Sequence, residues 1–252
     1  MNPKNCISYW FPRLTAAGLP VPATIIMDAG EDWFEMPDPS EGLGTFADLV
    51  ARIEHHAPKL GFPCFLRTGH GSGKHEWRDT CCLTNIHHVA SHVARLIEWS
   101  QCAGFLGLPY RYWALREFLP GPAITTWEPF HGMPVRREFR AFVDGPHVQC
   151  IHPYWPADAF DDHPVVQAEA DIIASQLPAM NSLTPEDEQH IRTIASAAGQ
   201  ALGGGWSIDL LWVEGMHGAA GWGIQDGAGW FITDCALAAD SYHWDDCPNK
   251  GT

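Results

Sequence analysis

Between Arg136 and Gly145 the chain reads Arg-Arg-Glu-Phe-Arg-Ala-Phe-Val-Asp-Gly, in which charged and apolar residues alternate and a turn dipeptide closes the run. Alternation with a period of two marks a β-strand, and Asp-Gly is a strong hairpin signal, so His147–His152 is expected to pair back on this strand. Phe139, Ala141 and Val143 face one side of such a strand, and Glu138, Arg140 and Phe142 the other. Arginines aimed at one place suggest an anion, because the guanidinium fork matches carboxylate or phosphate oxygens in pairs. An edge strand with an Arg140–Glu138 salt bridge would use the same residues.

The charge distribution bears on this choice. The net charge is -15, which argues against nonspecific nucleic-acid binding and against docking on an anionic membrane. Yet residues 61–140 hold nine of the fifteen Lys and Arg against six acids, leaving that window at +3 and the remainder at -18. A basic window in an acidic chain suits a small polyanion. At 252 residues with 46% hydrophobic content, the chain can bury a full core. It has no apolar run near the roughly 18 residues that span a bilayer, and its first residues lack the apolar core of a signal peptide. The eight cysteines show no CxxC spacing and suit neither the common zinc nor the common disulfide frameworks, so reduced cytosolic thiols are expected. His87, His88 and His92 fall on a predicted helix, Asn85–Cys102, but lack the intervening Glu of an HExxH site. His70, His75 and His243 are read as bystanders.

Along the chain, a short helix is predicted around 13–16 and a strand over 23–27. A polar loop over 31–45 precedes an amphipathic helix from Thr45 to His56. Phe62–Thr68 reads as a buried strand running into Gly69-His70-Gly71-Ser72-Gly73-Lys74. Such a loop lets backbone N–H groups approach phosphate, though its spacing is not that of a Walker loop, and a plain surface turn would also explain it. A strand over 112–119, the arginine strand over 135–143, an acidic loop over 158–164 and a helix over 165–177 follow. Thr184-Pro185-Glu186-Asp187 has the cap, proline and acids of a helix start. Two strands close the chain, 206–213 with Asp209 inside an apolar run and 229–234 ending in Asp234. A carboxylate in a core strand is costly unless it is paired or binds metal. Two of them could clamp Mg²⁺, or could salt-bridge to the arginines of 135–143; both readings stand.

The order of these pieces resembles the ATP-grasp superfamily. Arg67 lies on a strand, the Gly/Ser/Lys loop follows, and Arg116-Glu117-Phe118-Leu119-Pro120 comes next. Glu138–Val143, Ser207-Ile208-Asp209 and Asp234 complete the series, which spans about residues 10–244. Within that superfamily the sharpest match, Glu138–Val143 together with Ser72–Trp77, is similar to a divergent clade. It includes the eukaryotic assembly chaperone for translation initiation factor 2 and phage and bacterial proteins named for two arginines and a lysine. The resemblance implies an α+β ATP-grasp fold of two α+β lobes clasping a nucleotide with a small N-terminal α/β lobe. The parts would be 1–45 before the grasp, 46–115 as the small lobe and 116–252 as the large lobe.

By the same resemblance, Arg67 and Lys74 would hold phosphates, while Glu117, Phe118 and Leu119 would sit at the adenine hinge. Arg140, with Arg116 assisting, would contact phosphates or an acylphosphate, and Asp209 and Asp234 would bind Mg²⁺. The implied activity is a cytoplasmic ATP- and Mg²⁺-dependent ligase joining a carboxylate to an amine, with a protein or peptide as a possible acceptor. The alternative is an ATP-binding assembly factor for a protein partner with little turnover. The chain departs from the pattern at Ala236, where many relatives place a metal-binding Asn.

Overall fold

The computed structural model describes residues 2–30, 39–104, 107–160, 167–216, 222–224 and 226–250. The chain divides into two compact units. The first comprises Met1–Ser8, Ala23–Phe118 and Phe130–Met133; the second comprises Tyr9–Pro22, Leu119–Pro129 and Pro134–Thr252. Both are α+β, and each is built on one antiparallel four-stranded sheet. Among the described residues, no helix is long and apolar enough to cross a membrane.

In the first unit the sheet order is β1 (Thr24–Asp28), β4 (Tyr112–Glu117), β2 (Cys64–Thr68), β3 (Cys82–Leu83). Helices α2 (Pro39–Leu60) and α3 (Val89–Cys102) cover one face. Leu49, Ile53, Val93 and Leu96 pack there on Cys64, Leu66, Trp113 and Leu115, the strand residues of one parity. The helix start expected at Thr45 lies earlier, at Pro39, so the polar loop is shorter than 31–45 by its last residues; 31–38 fall outside the described residues. β1, read from the sequence as part of an N-terminal segment, is an edge strand of this sheet.

In the second unit the order is β10 (Gly229–Leu237), β9 (Gly205–Val213), β7 (Glu138–Asp144), β8 (His147–Pro153). Helix α5 (Pro185–Leu202) packs Ile191, Ile194, Ala195 and Ala198 toward a core that includes Phe139, Ala141 and Val143. It begins as the sequence dictates. The Thr184 hydroxyl accepts from Asp187 N, Pro185 opens the first turn, and three acids favour the positive helix end. Helix α1 (Ile7–Ala16) starts well before the predicted 13–16; the expected 158–164 loop begins in a 3-10 turn (Ala157–Phe160), 161–166 fall outside the described residues, and α4 runs from Gln167 to Met180. The arginine strand is interrupted. β6 (Met133–Arg136) pairs with β5 (Ala123–Trp127) in a two-stranded sheet, and Arg137 separates it from β7.

Candidate functional site

Strand register assembles a row of side chains across the second sheet. Asp234 lies opposite Asp209, Asp209 opposite Arg140, and Arg140 opposite His152. Directly opposed residues share a face, so all four point to the side away from α5. Arg140 is on a central strand, not an edge, and its partner is Asp209 instead of Glu138. Nε donates to Oδ1 at 2.7 Å and Nη2 to Oδ2 at 2.9 Å, a bidentate fork with both side chains largely buried. Arg140 Nη1 also donates to the Tyr242 carbonyl at 3.3 Å, and the guanidinium lies 5.1 Å from the Tyr154 ring centre. Burial works against the charge on Arg140, but the Asp209 carboxylate overrides it and the net shift strengthens proton binding.

The expectation that Arg136, Arg137 and Arg140 converge on one anion is corrected here. Arg136 is buried and donates to the Leu119 and Pro120 carbonyls at 2.6 and 2.7 Å and to Trp212 O at 3.2 Å. It therefore fixes the backbone just after Phe118, where the chain passes from the first unit to the second. Arg137 points to the opposite face. It donates to Asp187 at 2.9 Å and to Ser182 O at 2.8 Å, and lies 5.0 Å from the Trp230 ring. Neighbouring strand residues alternate faces, so an Arg-Arg pair cannot serve one ligand.

The row's surroundings add a residue that the sequence reading used only as part of a motif. Glu138 shares Arg140's face two residues away, and Thr233 at the β10 bulge donates to Glu138 Oε1 at 3.4 Å and to Asp209 O at 3.2 Å. Asp234 Oδ1 accepts from Cys235 N at 2.9 Å. Next to this polar row, Leu119, Leu211, Val213 and Phe231 form an apolar cluster. Ala236 contributes no donor. Ser241, a few residues on, shares its hydroxyl with Ser207 at 2.6 Å and donates to Leu237 O at 3.0 Å.

The donor set fits a hard divalent cation. Two carboxylates stand on one face of adjacent strands, and like charges directly opposed in a sheet destabilise it unless a cation lies between them. Arg140 takes one lone pair from each Asp209 oxygen; a carboxylate has about four acceptor positions, so others remain. Of the two readings weighed from sequence, the salt bridge to the arginine strand is the one observed for Asp209.

The other expected residues belong to the first unit. Arg67 on β2 and Arg116 on β4 are 3% and 4% exposed. Their register (Phe65 opposite Arg116, Arg67 opposite Ala114) places both on the face away from α2 and α3. Arg67 Nε donates to Thr68 O at 3.2 Å, and Arg116 Nε to the Thr24 hydroxyl at 3.3 Å. The Glu117 carboxylate accepts from Ala23 N at 2.6 Å, clipping the start of β1. The Phe118 ring meets Trp77 edge-on, and Trp77 lies against Phe65.

Lys74 opens a short 3-10 turn, Lys74–Glu76, after the glycine loop. The glycines have a local cause. A Cβ on Gly69 would strike Cys6 Sγ, and one on Gly71 the Trp99 ring, so this backbone is pressed against side chains of its own unit. Within the loop, burial first and the Arg67 guanidinium second push the His70 pKa down to about 4. His92 is buried, with Nδ1 2.7 Å from Thr80 O, and stacks on His88.

The cysteines are free thiols, as expected from the sequence. Cys150 and Cys247, together with His152 and His243, gather at the β8 edge of the second sheet, although no zinc spacing was visible in the sequence. His243 belongs to this cluster, whereas the His75 ring stacks on Phe130 at 4.1 Å.

No protein-family model matches the chain, and no curated protein matches it. Solved structures similar to it include D-alanine–D-alanine ligase from Bacillus anthracis complexed with ATP, at 12% identity and a TM-score of 0.47. That match covers 92% of this chain and 54% of the ligase. The ATP-grasp ligase PsnB complexed with a minimal precursor is similar at 13% identity and a TM-score of 0.43, with 92% and 52% covered. The chain thus spans about half the length of the solved structures it matches.

Proposed function

We propose that this chain binds ATP with Mg²⁺ in the manner of an ATP-grasp ligase and joins a carboxylate to an amine. The observation that carries the reading is the cross-strand row Asp234–Asp209–Arg140, with Glu138 alongside and an apolar cluster next to it. Acids and a guanidinium on one face suit a metal–phosphate group, and the apolar cluster at Leu119, Leu211 and Phe231 suits a base. Asp209 and Asp234 would hold Mg²⁺, which supplies charge neutralisation at phosphate oxygens when bound.

In this reading the substrate carboxylate attacks the γ-phosphorus and ADP leaves. The amine nitrogen then attacks the acylphosphate carbon, displacing phosphate and releasing a proton. Arg140 would steady the charge on the transferring group by position, without proton transfer. Arg67, Lys74 and Arg116 are proposed as phosphate-binding groups of the first unit, and the backbone at Glu117, Phe118 and Leu119 as an adenine contact. The acceptor would be a protein or peptide. A second reading, an ATP-binding assembly factor with little turnover, is favoured by Asp209's commitment to Arg140 and by the missing donor at Ala236.

Calorimetry with ATP, with and without Mg²⁺, tests the proposal. Wild type should bind with an affinity that rises with Mg²⁺, and Asp234→Asn should abolish that rise. Arg67→Met should weaken binding by about 10- to 100-fold, as expected for a lost charged hydrogen bond. No ATP binding by wild type overturns the reading. Binding without ADP release on any carboxylate and amine pair selects the assembly-factor reading.

A further inference from the structure

Strand β8 carries Cys150 and His152 two residues apart, hence on one face, and the segment after β10 carries His243 and Cys247. The four ligand atoms all lie within 4.8 Å of one another, and Cys150 Sγ is 3.2 Å from His243 Nε2. Tetrahedral zinc, with bonds of about 2.0–2.3 Å, holds its ligands about 3.5 Å apart, so shifts of roughly 1 Å complete the geometry. Two sulfurs and two imidazoles select zinc over hard cations such as Mg²⁺.

The surroundings are those of a ligand set. His243 stacks on Phe142 at 3.8 Å and 8°, and His152 on Trp244 at 4.6 Å and 16°, so both rings are held in place. Among the described residues, His152 Nε2 is buried with no hydrogen-bond partner, an arrangement that costs free energy until the nitrogen finds one. On binding, the metal would displace the thiol protons.

We propose that Cys150, His152, His243 and Cys247 bind one Zn²⁺ in a closed tetrahedral site that fastens the C-terminal segment to the edge strand β8. Four protein ligands leave no open position, which makes the site structural. It stands independently of the nucleotide reading. Tyr242, beside His243, presents its carbonyl to Arg140, so the fastened segment also supports the Asp209–Arg140 fork.

Elemental analysis of the tag-free protein should find about one zinc per chain, as a closed four-ligand site requires. Cys247→Ser and His243→Ala should each lose most of it. Cobalt in place of zinc should give the intense visible bands of a tetrahedral thiolate complex. In wild type, chelation should lower the melting temperature, zinc but not magnesium should restore it, and zinc should protect Cys150 and Cys247 from alkylation. The chelation arm holds even if the variants fail to fold. Wild type that takes up no zinc, zinc that persists in Cys247→Ser, or a Cys150–Cys247 disulfide in the purified protein would overturn the proposal.

Discussion

The two four-stranded sheets carry arginines in different company. In the first unit, Arg67 and Arg116 sit on the face away from the helices, and their strand neighbours Ala114, Phe65 and Thr24 are neutral. In the second, Arg140 has an acid directly across on one side and a histidine on the other, with a further acid one strand beyond. The strands themselves read alike, with an arginine set among alternating apolar residues. Register, which no single strand reveals, decides which residues stand directly across from the arginine in its sheet.

The largest effect should come from breaking the second sheet's row. Arg140→Ala leaves Asp209, 7% exposed, facing Asp234 without its partner. Removing one member of a buried pair costs about 3–5 kcal/mol, because the remaining charge stays desolvated. Urea unfolding should show that loss, millimolar Mg²⁺ should recover part of it, and Asp209→Ala in the same chain should restore most of it. A loss under about 1 kcal/mol, the range of exposed ion pairs, would mean that the fork is solvated and the two sheets are alike after all.

The first sheet should show its own dependence, on pH. His70 has a folded pKa near 4 against an ordinary 6.5, so the unfolded chain takes up the proton first. Stability is therefore complete above about pH 6.5 and falls as the pH drops toward 4, by up to about 3 kcal/mol over the window. His70→Gln should flatten that part of a stability–pH curve measured by urea denaturation. An unchanged slope would show that the loop admits water around the imidazole, and that the first sheet's basic face is less secluded than its exposures indicate.

Much of this architecture was readable from pattern. The β7–β8 hairpin followed from alternation and Asp-Gly, and the start of α5 from Thr184-Pro185 with its acids, because both signals are local. What escaped was set by distant partners. Arg136, Arg137 and Arg140 look equivalent in sequence, yet they serve three places because alternation and the break at Arg137 turn them apart. Asp209 was rightly singled out as a costly acid, but only register names Arg140 as its partner. The Cys150–His152 pair is a period-two signal on a strand that a search for CxxC passes over, and its mates lie some ninety residues away. The glycines of 69–73 suggested a phosphate loop; at Gly69 and Gly71 close packing on Cys6 and Trp99 already requires them.

The smallest effect separates the two faces of the second sheet. Thr184 caps α5 and donates to Asp187 at 2.7 Å, while Asp187 also receives Arg137 and Trp230. All of these lie on the α5 side, away from Asp209 and Arg140. Burial alone would raise the Asp187 pKa; Arg137 and Thr184 outweigh it and hold the carboxyl below its ordinary value. Thr184→Ala should therefore cost about 1 kcal/mol, the usual loss of a helix cap. The Mg²⁺ protection expected in Arg140→Ala should be unchanged when Thr184→Ala is added, with the two costs additive, since sites without shared partners do not couple. Marked non-additivity would mean that the faces communicate through β7, and that the acid row depends on the helix packed behind it.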